Sequence, residues 1–326
     1  MGLLPSGLLL ELGLLECTLQ RLSQASRAAC SLRDLDCVYL PAPQLRLSSC
    51  PAAAPMGVKR PRHAADAAQA GHEAGQDAEH QHQAPGLSDS KCFLDPDLAD
   101  ASKLDEATWQ AVLTFRDAHQ IEVHGSGVPA PVPDFESLPA RCARMVDAVQ
   151  TAADVMAGMG HTQPTAIQAQ AWPIALAGRD LVGLAETGSG KTLAYAVPVV
   201  VHAAAAAQHQ ARNSGAEGAV DGPAALVLAP TRELAGQIDA VLAPFCKALN
   251  LQHTCVYGGV PKAAQARALK LGVHVLVATP GRLEDHTSAR ACSLERVRCV
   301  VLDEADRMLS MGFEAQLRSL MSQVCA

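Results

Sequence analysis

Five short runs of apolar, β-branched residues punctuate the second half of the chain, at 180–185, 224–229, 253–257, 274–278 and 297–302. Several are almost wholly apolar rather than alternating, the pattern of strands buried on both faces. Helix-length segments separate them. This order predicts an α/β fold in which a parallel sheet is wound by helices on both faces. A polar, Gly- and Pro-containing stretch, 213–223, is expected as a surface loop between a long helix and the next strand.

The first third shows no such order. Residues 57–90 are rich in Ala, His, Gln, Gly and Asp without periodic large apolar positions, and predict a solvated arm. Residues 1–110 are therefore expected to be disordered or of low complexity, with an extension over 111–138 and the folded domain over 139–326. Met56 precedes a basic cluster, Lys59, Arg60, Pro61 and Arg62, of the kind that nuclear import receptors bind, and is expected as the true start. The apolar first fifteen residues are interrupted by Glu11 and fall short of the ~20 needed to cross a membrane, so no membrane association is expected.

Composition narrows the functions. A net charge of -7 argues against a protein that grips nucleic acid through a general basic surface, so any such contact must be local. The eleven cysteines include no CxxC pair and no Cys/His cluster at zinc spacing, which leaves reduced intracellular thiols as the expectation.

Two constellations carry chemistry. Residues 185–192 read AETGSGKT between a predicted strand and helix, where backbone N–H groups and a helix N-terminus can cradle phosphates. Ala185 stands where the usual pattern has its first glycine. Thr187, Gly188, Ser189 and Gly190 supply the turn, Lys191 the ammonium that faces phosphate, and Thr192 the hydroxyl directed at Mg²⁺. About 110 residues on, the strand that ends at Leu302 runs into Asp303 and Glu304, at the carboxyl edge where ligands of parallel sheets bind. Asp303 there can hold Mg²⁺ through water, and Glu304 can orient and deprotonate the water that attacks a γ-phosphate.

The stretch around these acids, VVLDEADRMLSMGFE at 300–314, resembles motif II of the DEAD-box ATP-dependent RNA helicases. Further strings fall into that family's order. PTAIQAQAWP at 164–173 resembles the Q motif, and PTRELA at 230–235 resembles motif Ia. Gly258 and Gly259 match the GG turn, and TPGR at 279–282 resembles motif Ib. The resemblance implies the first RecA-like P-loop domain, with ATP and Mg²⁺ as cofactors and RNA as partner. Gln168 offers the donor and acceptor that an adenine edge requires. The family's aromatic stack on adenine falls to Phe135, which lies farther upstream than the family pattern, while His161 replaces a common aromatic. Pro230, Thr231, Arg232, Gly258, Gly259, Thr279, Pro280, Gly281 and Arg282 would line one sheet edge with phosphate-gripping groups. Binding to single-stranded RNA backbone should then be sequence-independent and salt-sensitive.

Residues 115–138 resemble the extension ahead of the Q motif in the p68-like, ribosome-assembly subgroup. By analogy alone this suggests a nuclear or nucleolar protein, with a cytoplasmic one as the alternative, and pre-ribosomal or ribonucleoprotein partners. The chain ends at Ala326 without the SAT tripeptide or the arginine motifs that the family places in a second domain. The expectation is an incomplete helicase with impaired activity on its own. A short non-catalytic RNA- or partner-binding product and a P-loop ATPase of another class are the competing readings.

Overall fold

The computed structural model describes residues 35–39, 92–213 and 222–324. The arm over 57–90, Met56, the basic cluster and most of the loop expected over 213–223 lie outside the described residues.

Strand β1 (Leu35–Tyr39) comes first. Helix α1 (Glu106–Ala118) starts where the Asp105 carboxylate accepts from the Thr108 N–H at 2.9 Å, and is followed by β2 (Glu122–His124). The short α2 (Ser137–Ala140) and then α3 (Val146–Gly158) lead to α4 (Ala166–Leu176). Thr165 and Gln168 close the N-terminus of α4 as a reciprocal capping box. The phosphate-loop string links β3 (Asp180–Leu184) to the long α5 (Lys191–Asn213). Then follow β4 (Ala225–Leu228), α6 (Arg232–Ala248), β5 (His253–Val256), α7 (Lys262–Lys270) and β6 (Val275–Ala278). The chain closes with α8 (Pro280–Ser288), β7 (Cys299–Leu302), α9 (Ala305–Ser310) and α10 (Glu314–Met321).

All five predicted strands are present. Four of them form a parallel sheet in the order β5-β6-β4-β7. Alternation along β4 shows how helices cover both faces. Ala225 and Val227 face a core with α3, α5 and α6, whereas Leu226 and Leu228 face Leu283 of α8, Met308 of α9 and Leu317 of α10. Every side chain of β4 and β6 is buried, which explains their near-continuous apolar character.

The sheet expected to be single is divided. β3 pairs with β1 in parallel, β1 pairs with β2 antiparallel, and the resulting sheet has the order β2-β1-β3. Among the described residues the phosphate-loop strand β3 therefore has no ladder to the acid-bearing strand β7. A separate apolar cluster of Ile121, Val128, Ile167, Ile174 and Ala194 packs around β3 and ties the 111–138 extension to α4.

The domain boundary near residue 110 needs correction. Phe93 and Leu94 are 1% and 2% exposed in the main core, and the Phe93 N–H donates to the Leu176 carbonyl at 2.7 Å. An isolated apolar pair among Asp and Pro residues gives no periodic signal. Its burial comes from contact with distant elements. Leu35–Tyr39 likewise adds a strand to a sheet where no order was expected.

Candidate nucleotide site and nucleic-acid groove

Gly188 and Gly190 take φ values of +82° and +92°, the left-handed region that glycine enters without steric cost. At Gly190 space as well as dihedral excludes a side chain, since an added Cβ would meet Gln168 Nε2 at 2.4 Å and Thr165 Oγ1 at 3.0 Å. These turns bring the loop back to the N-terminus of α5, whose first N–H groups have no partner within the helix. Lys191 donates from its ammonium to the Ala185 carbonyl across the loop. Ser189 Oγ is buried without a hydrogen-bond partner, an orphaned polar atom inside a cradle of donors.

Asp303 and Glu304 stand beyond the end of β7. Glu304 has φ +52° and ψ +50°, a left-handed conformation unusual for a side-chain-bearing residue and of a kind that collects at functional sites. Its carboxylate accepts from Arg307 at 3.0 Å and is about one-third exposed. Asp303 is more enclosed. Its Oδ1 accepts from the Glu304 N–H at 3.1 Å and its Oδ2 from the Tyr195 hydroxyl at 2.9 Å. Burial pushes the Asp303 carboxyl above the ordinary aspartate value, opposed by the Tyr195 hydrogen bond and reinforced by nearby Glu304. Burial also holds the Tyr195 phenol well above its usual value, with the Asp303 charge adding to the effect, so it remains a donor.

The donor set fits a hydrated Mg²⁺ and a polyphosphate. A hydroxyl at Thr192, a carboxylate at Asp303 and the unpartnered Ser189 Oγ are hard oxygen groups of the kind Mg²⁺ and phosphate accompany. Thr192 and Asp303 would hold the cation through water, and Lys191 with the loop N–H groups would hold the phosphates.

Two expectations for the base need revision. Gln168 is 2% exposed, with Oε1 accepting from the Thr165 N–H at 3.0 Å and Nε2 donating to the Gly190 carbonyl at 3.1 Å. It braces the phosphate loop, and one amide hydrogen and one lone pair remain uncommitted. Phe135 is not available for stacking. It is 8% exposed in the main core, its ring tilted against Trp172 with centroids 5.8 Å apart. Burial against a second large aromatic removes more apolar surface from water than an exposed stacking face could. His161 is exposed.

Along the same carboxyl edge, a groove of about 640 Å³ is lined by Pro230, Thr231, Arg232, Gly258, Gly259, Thr279, Gly281 and Arg282. Of the nine residues predicted for phosphate contact, only Pro280 is missing. It is buried at the first turn of α8, where its lack of an N–H costs nothing. Thr231 is occupied as a cap, its Oγ1 accepting from the Leu234 N–H at 3.2 Å. Arg282 is also less free than expected. Its side chain is 9% exposed, and Nη1 donates to the Val260 carbonyl at 2.9 Å and to Gln265 Oε1 at 2.8 Å. Arg232 is the exposed guanidinium, and it pairs with Glu233.

Sequence reasoning missed several participants. Glu233 and Asp285 place carboxylates in the groove, and Met311 and Phe313 close one side. Gln265 anchors Arg282 while donating to the Tyr257 carbonyl at 3.2 Å. Tyr195 was legible, because it lies three residues after Thr192 and so on the same face of α5.

Comparison with known proteins matches this arrangement to one family. The model of the DEAD/DEAH box helicase family covers residues 165–325, which spans both the phosphate loop and the groove. These residues form a DEAD-box helicase domain. Among curated relatives, an ATP-dependent RNA helicase dbp2 of Aspergillus fumigatus is 47% identical over 229 residues, covering 70% of this chain and 38% of that protein. A DBP2 of Ajellomyces capsulatus is 50% identical over 210 residues, 64% of this chain and 36% of that protein. The chain thus spans little more than a third of these relatives. Among solved structures, the yeast DEAD-box splicing factor Prp28 superposes with a TM-score of 0.56 at 29% identity, covering 69% of this chain and 48% of that one. Prp28 from Chaetomium thermophilum, bound to ADP, gives 0.55 at 35% identity, covering 67% of this chain and 48% of that one. The RecA-like fold of the DEAD-box proteins accounts for the parallel sheet and the carboxyl-edge site together.

Proposed function

We propose that this chain supplies the ATP- and RNA-binding half of an ATP-dependent RNA helicase. The observation that carries the reading is one edge: the phosphate loop, the Asp303–Glu304 pair and a groove lined by eight of the nine predicted phosphate-contact residues all lie beyond the carboxyl ends of the strands.

Lys191 and the loop N–H groups bind the triphosphate, while Thr192 and Asp303 would hold hydrated Mg²⁺, which would supply charge neutralisation at the phosphates. Glu304 orients the attacking water. The uncommitted half of the Gln168 amide meets the adenine edge, favouring ATP over GTP. The groove takes single-stranded RNA by its phosphates, and Met311 and Phe313 add apolar contact for the sugar or base. Hydrolysis coupled to strand separation is proposed for the whole protein rather than for this segment. A nuclear location and ribonucleoprotein partners rest on the basic cluster over 59–62 and on analogy.

Binding of a fluorescent ATP analogue to this chain, competed better by ATP than by GTP and lost in Lys191→Ala, tests the nucleotide site. In the protein extended by a second helicase domain, RNA-stimulated ATP hydrolysis should be abolished by Lys191→Ala or Glu304→Gln. Unchanged turnover in either variant would refute the assignment.

A further inference from the structure

Among the described residues the phosphate-loop strand β3 and the acid-bearing strand β7 belong to different sheets, so no backbone ladder joins them directly. Thr192 sits at the start of α5, which packs on the four-stranded sheet, and Asp303 stands beyond β7. A side chain links the two elements at the site. The Tyr195 hydroxyl donates to Asp303 Oδ2 at 2.9 Å, and Tyr195 follows Thr192 by three residues on the same face of α5.

We propose that Tyr195 is a positioning residue for the divalent cation: its hydroxyl holds the Asp303 carboxylate in register with the Thr192 hydroxyl and thereby sets the metal affinity of the nucleotide site. The proposal rests on the nucleotide reading above and goes beyond it by naming a residue outside the predicted nucleotide- and RNA-contact set.

The geometry supports this in three ways. The Tyr195 ring packs against the main core beside its α5 neighbours, so its hydroxyl is delivered from a rigid base. Asp303 is held at both oxygens, Oδ2 by Tyr195 and Oδ1 by the Glu304 N–H, which fixes the plane of the carboxylate rather than merely its place. With Oδ2 released, the carboxylate keeps only the contact to its own neighbour, and rotation about its side-chain bonds is restrained from one side alone. A cation held through water by two groups is sensitive to such rotation, since its shell tolerates little angular error.

Tyr195→Phe removes the hydroxyl and keeps the ring, so the core survives. Two quantities are measured on the chain as it stands: Mn²⁺ affinity by electron paramagnetic resonance in the presence of ADP, and affinity for a fluorescent ADP analogue with excess chelator. The expected result is a weakening of Mn²⁺ binding by roughly three- to thirty-fold, a fraction of the roughly ten- to 150-fold that one hydrogen bond to a charged group is worth, because the bond lost orients the ligand rather than binding the cation. Metal-free ADP affinity should remain within about twofold. Unchanged Mn²⁺ affinity overturns the proposal. Equal weakening of metal-free ADP binding also overturns it, because it marks a general disturbance of the loop. In the Asp303→Asn background Tyr195→Phe should add no further loss of Mn²⁺ affinity, and additive losses refute the coupling. Failure of the unaltered chain to bind ADP at all would overturn the nucleotide reading instead, and this proposal with it. These outcomes are distinguishable from one another.

Discussion

The Gln168 amide donates to the Gly190 carbonyl at 3.1 Å, so the capped N-terminus of α4 and the phosphate loop are held by one side chain. The neighbouring glycines of that loop should therefore respond differently to substitution. Gly190→Ala combines a disfavoured φ of +92° with a Cβ 2.4 Å from Gln168 Nε2, whereas Gly188→Ala meets nothing within 4 Å and bears only the dihedral cost. Gly188→Ala should lose about 1 kcal/mol, and Gly190→Ala roughly 2 kcal/mol or more together with nucleotide binding. Urea unfolding with binding of a fluorescent nucleotide compares them. Equal losses would mean that Gln168 moves aside freely.

Glu233 lines the groove beside Arg232, whose guanidinium is exposed there. Arg232 and Glu233 are 62% and 63% exposed, so their pairing is easily broken and adds little to stability. It does reduce the positive field offered to a phosphate. Glu233→Gln should leave the melting temperature within about 2 °C and strengthen binding of a single-stranded oligonucleotide by roughly two- to tenfold at low salt, with a steeper salt dependence. Fluorescence anisotropy titrations at two ionic strengths measure this. Weaker binding would show that Glu233 holds Arg232 in its productive rotamer.

Three thiols are predicted to be inert in the folded chain. Burial pushes Cys142 up to about 11, and Cys246 and Cys255 up to about 12, with a smaller contribution from nearby charge. A thiol near 12 exposes about a thousandfold less thiolate at pH 8 than an ordinary one. Pulse alkylation with iodoacetamide followed by peptide mass analysis should label these three only after unfolding. Rapid native labelling of Cys246 would contradict the packing of α6.

Two histidines make stability fall with acid. His286 is 2% exposed beside Gln265 Oε1 at 3.2 Å, and burial, aided by Arg282, lowers it below the ordinary value. His274 is lowered by burial and by Arg296, and its Nδ1 accepts from the Gln252 N–H at 2.9 Å, which requires a neutral ring. The unfolded chain takes up protons at both near pH ~6.5 while the native chain resists, so their stabilising effect is complete above that pH and is lost as pH falls toward 5. Melting temperatures between pH 7.5 and 5 should show the decline, and His286→Gln should flatten part of it. An unchanged slope in that variant assigns the effect elsewhere.

The sequence exposed the phosphate loop, the acid pair and the groove because phosphate chemistry demands local strings: a tight glycine turn, a helix start and carboxylates at a strand end. The five strands were legible for a similar reason, since burial on both faces writes an apolar run. What escaped depends on contacts between distant residues. Phe93 and Leu94 have no period of their own and are buried in a core to which α3, α4 and α5 contribute, the Phe93 ring lying edge-on to His202 of α5. Phe135 looked free for a base, yet Trp172 claims it. Arg282 looked like a phosphate ligand, although Gln265 and Val260 occupy its Nη1. The division of the sheet is a matter of pairing, which composition does not encode.

That division also bears on behaviour in solution. Among the described residues β3 and β7 each end a sheet, so each presents one row of backbone N–H and C=O groups without a strand beside it. The side chains of β7 are half-buried where those of β4 are wholly buried. Such an edge is a template on which another strand can add, whether from the same polypeptide, from a partner or from a second copy. A strand added to either edge would bear on how firmly the two parts of the nucleotide site, the phosphate loop after β3 and the acid pair after β7, are held together.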